Sequence, residues 1–164
     1  MKKLFFLYLL ALNSCSQTKI KEKNIDIIIE GSQSYKYDLT HEVFTVFYMS
    51  KAPTEIMFHL SNEEKSKIID KYYALNLEQL KKIDSRTGNI YIEDNCMTMP
   101  KDYTILRVKT KTISQVIQID IGCDEYNSNS NVARRIKEFI KYTLNIIQAK
   151  PEIKNAPTSD VIYM

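Results

Sequence analysis

Residues 43–64, VFTVFYMSKAPTEIMFHLSNEE, decide the fold. Val43-Phe44-Thr45-Val46-Phe47-Tyr48-Met49 is apolar on both alternating faces, the pattern of a strand covered on both sides. Ser50-Lys51-Ala52-Pro53 supplies turn residues, and from Thr54 to Leu60 the side chains of Ile56, Phe58 and Leu60 share one face. A hairpin is therefore expected. Ser61-Asn62-Glu63-Glu64 follows at capping-box spacing, in which the serine oxygen accepts from the amide three residues on and the glutamate reaches back. Ile68, Ile69, Tyr72, Tyr73 and Leu75 then recur at helical spacing, with Lys65, Lys67 and Lys71 outside. Two strands feed one helix, so strands are grouped rather than alternated with helices.

Working outward, Ile25-Asp26-Ile27-Ile28-Ile29-Glu30 reads as an earlier strand ended by Gly31-Ser32. Downstream, Asn89–Glu93, Tyr103–Val108 and Ile113–Ile121 read as three more strands, the last two joined by the hairpin link Lys109-Thr110-Lys111-Thr112. Val132, Ile136, Phe139, Ile140, Thr143 and Ile147 mark a second amphipathic helix, with Ser128 to Asn131 as capping material and Pro151 as its stop. Glu152 to Met164 reads as a packed extended tail. The expected fold class is α+β, with a largely antiparallel sheet in a β-β-β-α-β-β-β-α order and two helices packed on one face.

The 164 residues, 44% hydrophobic and 26% charged, suffice for one domain with its own core. A formal charge of +3 arises from 23 Lys+Arg against 20 Asp+Glu, a mixed surface that gives no indication of a nucleic-acid partner. With 3 Gly and 4 Pro, collagen-like and Pro/Gly-rich classes are excluded.

The N-terminus carries a different signal. Met1-Lys2-Lys3 is followed by nine consecutive apolar residues, Leu4 to Leu12, the build of a secretory leader. Nine helical residues rise only about 13 Å, too short to span a bilayer. Leu12-Asn13-Ser14-Cys15 resembles the lipobox of bacterial lipoproteins, with Leu at −3, small Ser at −1 and Cys at +1. The resemblance implies cleavage before Cys15 and acylation, as by palmitate, of that cysteine; Asn13 departs from the motif's favoured residues. By lipobox and layout the chain resembles small bacterial lipoproteins of the Bacteroidota type. The implied organisation is a signal peptide over residues 1–14, a lipidated cysteine and polar tether over 15–23, and one α+β domain over 24–164. Losing Lys2 and Lys3 with the leader lowers the formal charge from +3 to +1. Ser16, rather than Asp, after the cysteine implies by resemblance the outer membrane of the cell envelope, and the lack of an acidic run just after Cys15 implies its periplasmic face.

Of 3 cysteines, Cys15 is assigned to the lipid, which leaves Cys96 and Cys123 as an even pair in an oxidising compartment. A disulfide between them is the expectation, two unpaired thiols the main alternative; a metal or redox pair would need further ligands or a CxxC spacing, which the sequence does not offer.

No Gly-rich phosphate loop, HExxH or GxSxG occurs, so no catalytic, metal-ligating or cofactor-binding residue is assigned. His41, in Asp38-Leu39-Thr40-His41-Glu42, reads as an exposed turn residue, and His59 as a residue on the strand face opposite Ile56, Phe58 and Leu60. Glu63-Glu64 and Asp124-Glu125 read as charge near helix starts. Arg134, Arg135, Lys137 and Lys141 give the last helix a basic face. The sequence points to a non-enzymatic, lipid-anchored interaction module with a protein or glycan partner, for which an immunity or inhibitor protein is one form. The alternative is an envelope hydrolase whose site is assembled in space from His41 or His59 and a carboxylate.

Overall fold

The computed structural model describes residues 24–31, 33–80, 90–92, 103–120 and 131–161. Seven strands, β1 (Asp26–Gly31), β2 (Tyr35–Asp38), β3 (Val43–Val46), β4 (Thr54–Met57), β5 (Ile90–Ile92), β6 (Tyr103–Lys109) and β7 (Ser114–Asp120), form one sheet in the order β4-β3-β2-β1-β6-β7-β5. All neighbours are antiparallel except β5, which runs parallel to β7. The helices are α1 (Asn62–Ala74), α2 (Asn131–Gln148) and the single turn α3 (Pro151–Lys154). The fold is α+β.

Register separates the two faces of the sheet. One cross-strand row reads Ile117, Leu106, Ile29, Tyr37, Phe44 and Ile56, apolar from end to end. The next reads Gln118, Ile105, Glu30, Lys36, Thr45 and Glu55. Because side chains alternate along a strand, the two rows must face opposite ways. The apolar row joins the core, where Tyr37 stacks on Phe44 with ring centroids 4.6 Å apart. Onto it α1 contributes Ile68 and Tyr72, and α2 contributes Ile136, Phe139, Ile140 and Ile147 among others. Tyr72 meets Phe139 edge to face at 5.8 Å. The buried apolar residues of all the described helices belong to this one core, so the polar row lies on the sheet's other face.

The start of α1 is as its sequence dictates. Ser61 Oγ accepts from Glu64 N at 3.2 Å, and Glu64 Oε2 accepts from Ser61 N at 2.8 Å. Lys150, at the α2–α3 junction, donates to both Glu64 oxygens at 2.7 and 2.6 Å, so the helix cap also ties the two long helices together. At the other end Asn76 takes a left-handed φ of 51°, a conformation asparagine tolerates better than most side chains. Beyond it, Gln115 of β7 accepts from Tyr72 Oη at 2.7 Å and donates to the carbonyl of Leu77 at 3.2 Å. Arg135 donates to the Leu75 carbonyl at 2.9 Å, which satisfies an acceptor that the helix end leaves open. Burial pushes the Tyr72 phenol well above its ordinary pKa, so it stays protonated and remains the donor in this network.

Several expectations need correction. Tyr35–Asp38 is a strand that the sequence pattern does not announce, so four strands rather than three precede α1 and the order is β-β-β-β-α-β-β-β-α-α. Its alternation is Tyr-Lys-Tyr-Asp, four residues without a β-branched side chain, and it pairs on both sides between β1 and β3. The strand expected over Thr54–Leu60 stops at Met57, although Phe58 and Leu60 are buried as expected. His59 consequently lies beyond β4 rather than on a strand face. Pro151 does not merely stop α2; it opens α3 at the first helical position, where its fixed φ and missing N–H cost nothing. The tail expected over Glu152–Met164 therefore begins with a helical turn through Lys154; beyond it Ser159 Oγ donates to the Phe47 carbonyl at 2.6 Å, and the Asp160 carboxylate accepts from Met49 N at 2.7 Å and from Ser50 Oγ.

Candidate functional site

The start of β1, the turn after β2 and the first half of α1 enclose a cleft of about 860 Å³. Its base is made by Ile27, Leu39 and Leu60, each nearly buried, and its walls by polar groups. Asp26 and Asn24 come from the strand side, Thr40 from the turn, and Asn62, Lys65, Ser66 and Asp70 from the helix. This arrangement follows from local sequence. Helical spacing of Asn62, Ser66 and Asp70 puts one polar side chain per turn on the same edge of α1, while Asp26 begins a strand whose next inward residue is the core side chain Ile27. Ser66 Oγ lies 3.5 Å from Asp70 Oδ2, and Thr40 Oγ1 lies 3.4 Å from Asp26 Oδ1. A cleft with carboxylate, amide and hydroxyl walls over an apolar base suits a small polar ligand rich in donors.

The adjoining turn is held by two carboxylates. Asp38 Oδ1 accepts from the amides of Thr40 at 3.1 Å and His41 at 3.0 Å, closing an Asx turn, and Oδ2 meets His41 Nδ1 at 3.0 Å. Burial raises the Asp38 pKa, but the bonds from His41 outweigh it and leave the carboxyl below its ordinary value. Glu42 has a left-handed φ of 55°. This turns its carboxylate toward the β4–α1 segment, where it takes Lys65 Nζ at 2.6 Å, His59 Nδ1 at 3.1 Å and Leu60 N at 3.2 Å. Burial again opposes ionisation, and these three donors overcome it, so Glu42 too is held below the usual glutamate pKa.

Each histidine named from the sequence thus stands beside an acid, yet their side chains are 75% and 78% exposed and neither lines the cleft. Histidine–acid pair and concave site, which a hydrolase built on His41 or His59 would need together, are neighbours here without coinciding. Among the described residues no group of three or more His, Cys, Asp or Glu side chains is placed to hold a metal ion. Cys15, Cys96, Cys123, Asp124 and Glu125 lie outside the described residues. Of the basic face expected on α2, Arg135 caps α1 and Arg134 donates to Asn131 at 2.9 Å, while Glu138 on the same helix pairs with Lys71 of α1. Of the tyrosines, Tyr37 and Tyr72 are core residues.

Sequence reasoning did not single out Asp26, Glu42, Lys65, Ser66 or Asp70 as neighbours. The signal available was the Asp38-Leu39-Thr40 Asx-turn pattern and the four-residue spacing of Asn62, Ser66 and Asp70; which strand faces them is fixed only by the fold. No protein-family model matches the chain, and no curated protein is similar to it.

Proposed function

We propose that the protein is a lipid-anchored component of the bacterial cell envelope whose domain acts by binding rather than by catalysis. The observation that carries this reading is the sequence Leu12-Asn13-Ser14-Cys15 after an apolar run, followed by the polar residues 16–23 that lead to Asn24, the first described residue before β1. The cleft next to that entry point supplies the binding site. Its polar walls fit hydroxyl- or amine-bearing groups of a glycan or of a protein side chain. The exposed histidines support binding over hydrolysis by a histidine, since neither lines the cleft.

A hydrolase using His41 or His59 with its carboxylate partner is the second reading, favoured by the 3.0 and 3.1 Å contacts. The two are separated by turnover and binding assays on one panel of envelope glycans and peptides. Binding that is lost in Asp26→Ala and Asp70→Ala but kept in His41→Ala and His59→Ala, without turnover, is expected. Turnover abolished by either histidine substitution would establish the hydrolase instead. No described helix is long and apolar enough to cross a membrane.

A further inference from the structure

The cleft between β1, the β2–β3 turn and α1 has acidic walls. Asp26 stands on the strand side and Asp70 on the helix side. Thr40 Oγ1 donates to Asp26 at 3.4 Å, a long bond, and Asp26 forms no ion pair among the described residues. Ser66 Oγ, another neutral donor, lies 3.5 Å from Asp70 Oδ2. The cation of the described lining is Lys65, whose Nζ is held by Glu42 at 2.6 Å. Lys109, opposite Asp26 in the β1–β6 register, does not line the cleft, and neither do His41 and His59, which meet Asp38 and Glu42. Acids therefore outnumber cations in the described lining. The start of α1 beside Asn62 is a positive feature, but it is capped by Ser61 Oγ and carries Glu63 and Glu64 in its first turn.

Resting on the binding reading above, we propose that the cleft receives a basic segment of a partner protein, whose lysine or arginine side chains lay their stems on its apolar base and direct their cationic heads at Asp26 and Asp70. Polarity selects this occupant as well as charge. Lysine and arginine cover apolar surface with their methylenes while the charged head stays in polar surroundings. The cleft has the matching order: Leu39 and Leu60 form its base, half-buried Ile25 and Ile69 offer further apolar surface, and exposed carboxylates stand in its walls. Its volume of about 860 Å³ is that of a site for a drug-sized molecule, more than one side chain fills, so several residues of a segment fit. No aromatic ring is among the described lining residues, so a sugar ring has no flat partner to stack on. An anionic ligand would bring its charge against Asp26 and Asp70. Because both carboxylates are exposed, each contact contributes modestly and binding weakens as salt is added.

The test titrates the full-length protein, at low ionic strength, with a fluorescein-labelled peptide of alternating alanine and lysine, read by fluorescence anisotropy. Parallel titrations use the same peptide with every lysine Nε-acetylated, and a labelled N-acetylglucosamine oligomer as a neutral glycan. Saturable binding of the lysine peptide is expected, weakened about threefold by Asp26→Asn or Asp70→Asn and about tenfold by both together. Acetylation of the peptide should abolish it, a comparison that needs no variant. Glu55→Gln, at an exposed position of β4 outside the cleft, should leave it unchanged. Lysine-peptide binding that survives acetylation, that neither Asp26→Asn nor Asp70→Asn weakens, or that Glu55→Gln weakens as much, overturns the proposal. Glycan binding that is lost in the Asp26 and Asp70 variants, without lysine-peptide binding, overturns the basic partner and leaves the cleft a binding site. Binding of neither probe also overturns the basic partner, and the wider panel of envelope glycans and peptides then decides the binding reading separately.

Discussion

Replacing Glu64 tests whether the α1 cap also holds the helices together. Its carboxylate accepts from Ser61 N and from Lys150, and it lies in the first turn of the helix. Loss of the reciprocal cap costs about 1 kcal/mol. Loss of a favourable charge at the helix N-terminus adds about 0.5 kcal/mol. Lys150, with a side chain only 19% exposed, is left without this partner, for roughly another 1 kcal/mol. Glu64→Ala should therefore destabilise by about 2–3 kcal/mol, a fall in Tm of roughly 6–10 °C for a domain of this size. Glu64→Gln keeps an acceptor for Ser61 and should lose about half as much. Equilibrium urea unfolding of both variants, together with Lys150→Met and the double variant, isolates the pair. The Lys150 bond, followed by that from Ser61 N, holds the Glu64 pKa below its ordinary 4.5 in the folded state. Its contribution is therefore complete above that value and disappears as pH falls through the lowered one, so the gap between wild type and Glu64→Ala should narrow toward pH 3. A loss under about 0.5 kcal/mol, or additive effects of Glu64→Ala and Lys150→Met, would refute the double role.

Tyr72→Phe leaves the buried Gln115 Oε1 without its donor at 2.7 Å, and a loss of about 1–3 kcal/mol is expected in urea unfolding; the double variant with Gln115→Leu should recover part of it. Arg135→Met keeps the apolar stem but removes the bond to the Leu75 carbonyl, which should lower stability by about 1–2 kcal/mol and increase amide exchange in the last turn of α1. Asp38 and Glu42 are held below their ordinary values in the fold, so the stability they provide is present above about pH 5 and falls on acidification. His41→Ala should flatten that acid limb in a Tm-against-pH series, and a slope unchanged by the substitution would show that Asp38 does not depend on its partner. Asp160→Ala should free the tail and raise proteolysis after Lys154 while changing the Tm by no more than about 1 °C, because the bonds it removes lie at the surface.

The legible parts of the fold are those whose signal is local. The capping box at Ser61 and Glu64 reads directly from spacing, as do the inward faces of α1 and α2, because period and cap chemistry lie within a few residues. The hairpin of β6 and β7 is equally plain from its alternation. β2 is not, since Tyr-Lys-Tyr-Asp is only four residues long and its Lys and Asp offset the strand preference of its two tyrosines, so that pairing on both sides completes the strand. Pro151 has two local meanings, stop and first helical position, and the burial of Ile153 decides between them. The cleft is the least legible feature. Asp26 and Asp70 are far apart in the chain, and only the antiparallel placement of β1 beside the β2–β3 turn, with α1 folded over both, sets them around one space. His41 and His59 are single residues in sequence, and their carboxylate partners follow from an Asx turn in one case and from the left-handed φ of Glu42 in the other.

The lipid anchor is the central claim, and the mass of the N-terminal peptide of the protein isolated from its host membrane tests it most directly. The account predicts a peptide that begins at Cys15 and carries acyl chains, together with palmitate incorporation that Cys15→Ala abolishes. A peptide that begins at Met1, or an unmodified Cys15 in membrane-bound protein, would contradict it.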